Sequence, residues 1–229
     1  MFAGHIGAAL LIGRAQPRVN VGLFVAAALL LDVVLWVLVL VGFESVNIPS
    51  DYARTHQAEF QFPYSHGLLA ALVWSSLAAA AVLGWLAEPA RVRIAALVAL
   101  AVFSHWVLDV LVHRPEMPLA GPHSLRIGLG LWGSSLPVAL AVESLFIFAG
   151  LLLYIPRATS SRSKLWLGVA SLVLLAFTVV GMTVAPAPSS AHAMAASSLV
   201  TLTTVCALFL WLGRARLPKA PWRTSSQAR

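Results

Sequence analysis

His105, Asp109 and His113 stand at i, i+4 and i+8 in an apolar run, and at about 3.6 residues per turn the three share one face of a helix. Two further acids, Asp32 and Glu143, also interrupt apolar runs, and His66 opens another run just after Pro63. An aspartate at the centre of a membrane-spanning helix costs roughly 2.5–3.5 kcal/mol on the insertion scale. Several such groups cost on the order of 10 kcal/mol together, which a marginally stable fold does not carry without compensation. The sequence therefore implies that they meet. Imidazoles and carboxylates converging at one depth form the ligand set of a Zn, Mn or Fe site, and the ion's charge would offset the buried carboxylates.

The elements that must position these groups follow from composition. Of 229 residues, 60% are hydrophobic and only 10% charged, with a mean hydropathy of +0.88. A soluble domain carries about 25% charged residues. Disorder, a disulfide scaffold and a secreted mini-protein are excluded by the same numbers, because Cys206 is the single cysteine. Six apolar runs span residues 17–43, 64–87, 92–113, 127–154, 165–185 and 191–212. Each is long enough to cross about 30 Å of hydrocarbon, which needs roughly 20 residues. The fold expected is all-α: a polytopic membrane protein of about six transmembrane helices in one domain. Residues 17–154 would form a four-helix core around the candidate site, and two further helices would follow over 165–212.

Residues 1–13 are apolar but only about 20 Å long as a helix, so a surface-lying or re-entrant half-helix is expected there. The first long run is too extended for a cleavable signal peptide. Residues 44–63, with Pro49, Asp51, Arg54 and Glu59, read as an external loop, as do residues 114–126, where Pro115, Pro118 and Pro122 forbid a continuous helix. The net charge of +7 does not point to nucleic acid, because the basic residues sit between apolar runs. Twelve of them, from Arg14 and Arg18 through the tail at 214–229, fall on one side, against Arg54, Arg114 and Arg126 on the other. That bias places both termini in the cytoplasm, with a basic, disordered tail. Measured from the cytoplasmic ends, Asp32 then lies about 22 Å along its helix, His105 about 21 Å and Asp109 about 27 Å.

Other chemistry fits the same residues. His66 follows Ser65 at a helix start, where Ser65 would cap the helix, and Asp32 could hydrogen-bond a neighbouring helix. The His105, Asp109 and His113 row also suits a structural polar seam or a proton relay. Glu143 could pair with Arg126. At the level of the whole chain the alternatives are an ion or proton transporter, against which no broken helix or inverted repeat is visible, and a structural membrane protein whose polar groups only join helices.

The blocks Gly4-His5, Leu31-Asp32, Pro63-Tyr64-Ser65-His66, Ser104-His105-Trp106-Val107-Leu108-Asp109 and His113-Arg114-Pro115 resemble the membrane-bound metal-dependent hydrolase family of bacterial inner-membrane proteins (YdjM-like), or a poorly characterised branch of it. The resemblance runs from Met1 to about Leu153. It implies that His5, Asp32, His66, His105 and Asp109 match the family's metal-ligand positions. The chain has one carboxylate, Asp32, where the broader family tends to have a Pro-Asp-x-Asp cluster, and lacks a His-Arg pair ahead of His66.

The expectation is an inner-membrane hydrolase of a lipid or lipid-linked substrate. Its divalent ion, Zn with Mn or Fe as alternatives, would open toward the external face. His113 would transfer protons, Arg114 would hold a phosphate or carboxylate headgroup, and Glu143 would support the site or act as a base.

Overall fold

The structure, a computed structural model, describes residues 1–87, 89–158 and 160–213. The basic tail lies outside the described residues. The helices are α1 (Phe2–Gly13), α2 (Val21–Ala28), α3 (Leu30–Leu40), α4 (Tyr52–Thr55), α5 (Leu68–Trp85), α6 (Arg91–Val112), α7 (Leu131–Ser134), α8 (Leu136–Tyr154), α9 (Ser161–Thr183) and α10 (Ala191–Leu212). Two antiparallel ladders pair β1 (Ser45–Asn47) with β2 (Glu59–Gln61), and β3 (Met117–Pro118) with β4 (Arg126–Ile127).

Five helices, α5, α6, α8, α9 and α10, are long and apolar enough to cross a membrane, and the bent pair α2–α3 would make a sixth span. Their outward faces are apolar as well. Leu69, Leu72, Val73 and Leu77 on α5 and Leu172 and Val173 on α9 are exposed. Water penalises such continuous apolar surface and hydrocarbon does not, so the architecture is that of an all-α polytopic membrane protein. Side-chain caps start three of the helices: Asn20 accepts from the Gly22 N–H, Ser160 from Ser163 and Ser190 from Ala193.

Three expected boundaries shift. The run over 17–43 is not one straight helix, because α2 and α3 meet at Leu29 with a bend of 46°. No Pro or Gly stands at this break; instead the His105 imidazole engages the Ala28 carbonyl there, the side-chain intrusion that kinks helices. The run over 127–154 starts its long helix only at Leu136, after β4, α7 and an extended Ser135. His66 precedes α5 by two residues, in a turn that closes on Gly67. A Cβ at Gly67 would sit 2.7 Å from the Pro63 carbonyl oxygen, so only glycine lets this turn pack.

The half-helix α1 is enclosed by the bundle, with nine of its twelve residues buried, against α8, α2 and α6. Its closest approach is to α8. Gly7 faces the Phe146 backbone and Gly150 faces the Gly7 backbone, so small residues let the two helix axes come together, as in membrane bundles generally. This packing carries His5 inward.

Candidate metal centre

On α6 the buried positions Ala95, Val98, Val102, His105 and Asp109 recur every three or four residues, so the helix turns its two polar groups inward. The helix ends at Val112. His113 is its C-cap in extended conformation, yet the ring still reaches back to place Nε2 3.8 Å from Asp109 Oδ2. Asp32 lies in the first turn of α3, immediately beyond the bend. The sequence offers no local group to satisfy this charge, but the bend supplies one: a new helix N-terminus, whose dipole favours an acid.

These elements converge. His66 Nε2 is 3.1 Å from His105 Nε2, 3.6 Å from Asp32 Oδ1 and 3.5 Å from Asp109 Oδ2. His105 Nε2 is 3.7 Å from Asp32 Oδ1 and 3.1 Å from Asp109 Oδ2. His66, His105 and Asp109 are buried, and Asp32 keeps 22% of its side chain open to a cavity.

The far nitrogen of each imidazole is already engaged. His105 Nδ1 lies 2.7 Å from the Ala28 carbonyl oxygen, which only accepts, so Nδ1 carries the proton and Nε2 presents a lone pair. His66 Nδ1 lies 2.8 Å from Ser65 Oγ, and that hydroxyl lies 2.7 Å from Glu44 Oε2. The Ser65 hydroxyl donates to the Glu44 carboxylate, and its oxygen then accepts from His66 Nδ1–H. His66 Nε2 therefore also presents a lone pair. With both rings neutral, two imidazole lone pairs face the Asp32 and Asp109 carboxylates, an arrangement that a proton on Nε2 or a metal cation between the groups would relieve.

The spacing fits such an ion. A tetrahedral ion with bonds of about 2.1 Å holds its ligands about 3.4 Å apart, and the three distances within the Asp32–His66–His105 triad are 3.1, 3.6 and 3.7 Å. The buried His/Asp group could hold a metal ion.

His5 lies on the other side of Asp109. Its ring stacks on His105 with centroids 3.7 Å apart, its Nε2 is 3.1 Å from Asp109 Oδ1, and neither ring nitrogen has a hydrogen-bond partner among the described residues. The Met1 amino nitrogen donates to the same Oδ1 at 2.7 Å. Two ligand triads can be drawn, His5–His105–Asp109 and Asp32–His66–His105. They share His105, whose Nδ1 is occupied, so one ion takes its Nε2.

Three groups that sequence reasoning did not single out support the site. Glu44 accepts from the backbone N–H groups of Tyr64 and Ser65 at 2.8 and 2.9 Å besides the Ser65 hydroxyl. Burial pushes its carboxyl above the usual glutamate range, while the Ser65 and Tyr64 hydrogen bonds pull it back. Ser65 does not cap α5: the N-cap is Gly67, and no side chain bonds there. Glu116 accepts from His113 Nδ1 at 2.7 Å. Trp132, with Phe60 and Phe62, encloses the His113 ring at centroid distances of 4.8 to 5.7 Å. Glu44 and Glu116 sit in loop sequence, where an acid draws no notice; only the fold shows them aimed at histidines.

Glu143 does not pair with Arg126. It is fully buried on α8, accepts from the Gly4 N–H at 3.2 Å, and leaves Oε1 without a partner among the described residues. Arg126 donates to the Pro122 carbonyl instead. His113 is buried at 8% exposure, not held at an aqueous edge, because the aromatic side chains and the β1–β2 ladder cover it. Arg114 is half-exposed, donates to the Ala58 carbonyl at 3.2 Å, and lies 3.5 Å from Glu59 and 3.7 Å from Glu116. Asp32, His66, Asp109, His113, Arg114 and Glu143 all border one cavity of about 490 Å³. That volume lies within the range of small-molecule sites, about 300–1,000 Å³.

No known family, curated protein or solved structure matches the chain.

Proposed function

We propose that the protein is a membrane-embedded metal-dependent hydrolase acting on a lipid or lipid-linked substrate at the external face of a bacterial inner membrane. The observation that carries this reading is the convergence of the His66 and His105 lone pairs with Asp32 and Asp109 at the floor of a cavity. His66, His105, Asp32 and Asp109 would hold the ion, and His5 would brace Asp109 from behind. This division of labour refines the resemblance, in which all five match ligand positions. A divalent ion, Zn before Mn or Fe, supplies Lewis-acid polarisation of a carbonyl or phosphoryl group and lowers the pKa of water.

The chain's own residues do the rest. Glu116 fixes the His113 tautomer by accepting from Nδ1, which leaves Nε2, on the cavity side, to take and return a proton. The Arg114 guanidinium, on the cavity rim, binds an anionic headgroup. Glu143, fully buried beside the same cavity, keeps one carboxylate oxygen without a partner among the described residues and would support the site from α8. The aromatic side chains around His113 exclude bulk water.

The test is hydrolysis by purified protein in proteoliposomes, with carboxyl-ester and phosphoester lipids assayed for released acid or phosphate. Turnover should vanish on chelation and return with Zn. His113→Ala should lower kcat by about 10²–10⁴-fold with metal retained. Turnover that survives chelation overturns the proposal.

One observation favours a second reading. The bent pair α2–α3, with Asp32 just past the break, resembles the discontinuous helices that bind ions in transporters. Flux of an ion or protons into sealed liposomes, abolished by Asp32→Asn, would support that reading over hydrolysis.

A further inference from the structure

Helices α9 and α10 are consecutive, yet they pack on different neighbours: α9 on α8 and α1, α10 on α2 and α3, with little contact between the two. The space left between them is continuous with the cavity over the His/Asp cluster. Phe177, Thr178, Gly181 and Met182 border it from α9, and Met194, Ser197, Ser198, Thr201 and Leu202 from α10. The α10 side extends to Leu202, 11 residues past the start of the helix, which is about 17 Å into the bundle's length.

The cleft runs from interior to exterior. Thr178 is buried at its inner wall, whereas Phe177 is 52% exposed at its outer edge, where its ring meets Phe2 of α1 at 5.7 Å. A Cβ built on Gly181 meets nothing within 4 Å, so this position opens on vacant space. Both helices are membrane spans by length and composition, so the outer mouth faces hydrocarbon. The same cavity is also bordered by Arg114, which stands 3.5 Å from Glu59 and 3.7 Å from Glu116. One continuous space thus joins a bilayer-facing mouth of Phe177, Met182 and Met194 with hydroxyls that bond their own helix, a cluster of candidate metal ligands and a charged rim where Arg114 stands beside Glu59 and Glu116. This polarity matches an amphiphile lying lengthwise.

Building on the hydrolase reading, we infer that the cleft between α9 and α10 admits one hydrocarbon chain of the substrate directly from the bilayer. The substrate is then an amphiphile whose polar headgroup lies under Arg114, whose scissile bond lies over the His/Asp cluster, and whose chain leaves between Phe177 and Ser197. The last two helices are thereby the walls of a chain-binding site. Chain recognition is by apolar contact and shape, so it sets a preference for chain thickness and length and not for headgroup.

The test uses phosphatidic acid with a diazirine within the first half of one acyl chain, photolysed with the full-length protein in proteoliposomes, and crosslinked residues mapped by mass spectrometry. Crosslinks should fall on inward-facing cleft residues such as Thr178, Met182 and Thr201. Gly181→Trp, which fills the cleft, should lower that labelling by about tenfold and leave bound metal unchanged. Gly168→Trp is the control, since Gly168 also opens on vacant space on α9 but does not border the cavity. Its labelling should equal that of the parent protein. Labelling confined to outward residues such as Leu172 and Val173, or unchanged by Gly181→Trp, overturns the inference.

The two proposals fail separately. Cleft labelling without metal-dependent turnover retains the chain site and removes the hydrolase reading. Turnover of long-chain lipid unaffected by Gly181→Trp does the reverse.

Discussion

Asp32 separates the accounts most sharply because its neighbours from Leu29 to Leu35 are otherwise apolar. Asp32→Asn keeps the side chain's shape and removes the anion, so the ion should be lost or strongly weakened while the protein still inserts and folds, as measured by elemental analysis beside size-exclusion profiles. Full metal content in this variant would remove Asp32 from the ligand set. Glu44 gives a different test. A glutamine there still accepts from Tyr64 and Ser65 through its carbonyl, but its amide donates to Ser65 Oγ, which then donates to His66 Nδ1 and moves the ring proton to Nε2. Glu44→Gln should therefore weaken metal affinity by about 10–100-fold. The same logic fixes a pH sign. Burial raises the Glu44 carboxyl, so on acidification it takes up a proton earlier than an ordinary glutamate, and metal retention should fall over that range in the parent protein. A flat metal-retention profile there would contradict the relay. His66, His105, Asp109 and Asp32 were legible in the sequence because polar groups in apolar runs are expensive. Glu44 and Glu116 were not, and Ser65 was read as a helix cap, because loops tolerate acids and hydroxyls and only tertiary contacts aim them.

At the level of elements, the bend at Leu29 and the enclosure of α1 determine whether the site exists. Gly7 and Gly150 let α1 and α8 touch backbone to backbone. Gly7→Ala should force the helices apart, destabilise the protein by about 1–3 kcal/mol and pull His5 off His105; a lowered thermal midpoint with reduced metal content is the expected outcome. A variant with parental stability and metal content would show that this contact does not hold the site. The sequence showed α1 to be too short to span, since its length bounds its reach. It gave no sign of the bend, because the break carries no Pro or Gly and arises from His105, 76 residues beyond Leu29 in the chain. The ladders β1–β2 and β3–β4 were equally invisible, being two or three residues long and set by partners outside their own segments.

At the scale of the whole molecule, charge and site lie at opposite ends. Arg14, Arg93 and Arg157 border a common pocket, and Arg93 donates to the Ala15 carbonyl at 2.9 Å. Sixteen residues of α6 separate Arg93 from Asp109, about 24 Å of helix. If the basic end is cytoplasmic, as the positive-inside bias proposes, the His/Asp cluster lies toward the outside. A reporter fused after Arg229 should thus score as cytoplasmic and one inserted beside Arg54 as external, and the reverse pattern would turn the site inward. Five long spans and one bent pair were foreseeable as six apolar runs, because length and hydropathy suffice for that; the cleft between α9 and α10 was not, since it depends on which neighbours each helix chooses. The central claim is that these elements gather one bound ion, and elemental analysis of the detergent-purified protein measures it directly. The account predicts about one Zn, Mn or Fe per chain. His66→Ala, His105→Ala and the double variant should all lose most of it, the double little more than the worse single. Purified, folded protein without stoichiometric metal, or metal unaffected by His105→Ala, would contradict it.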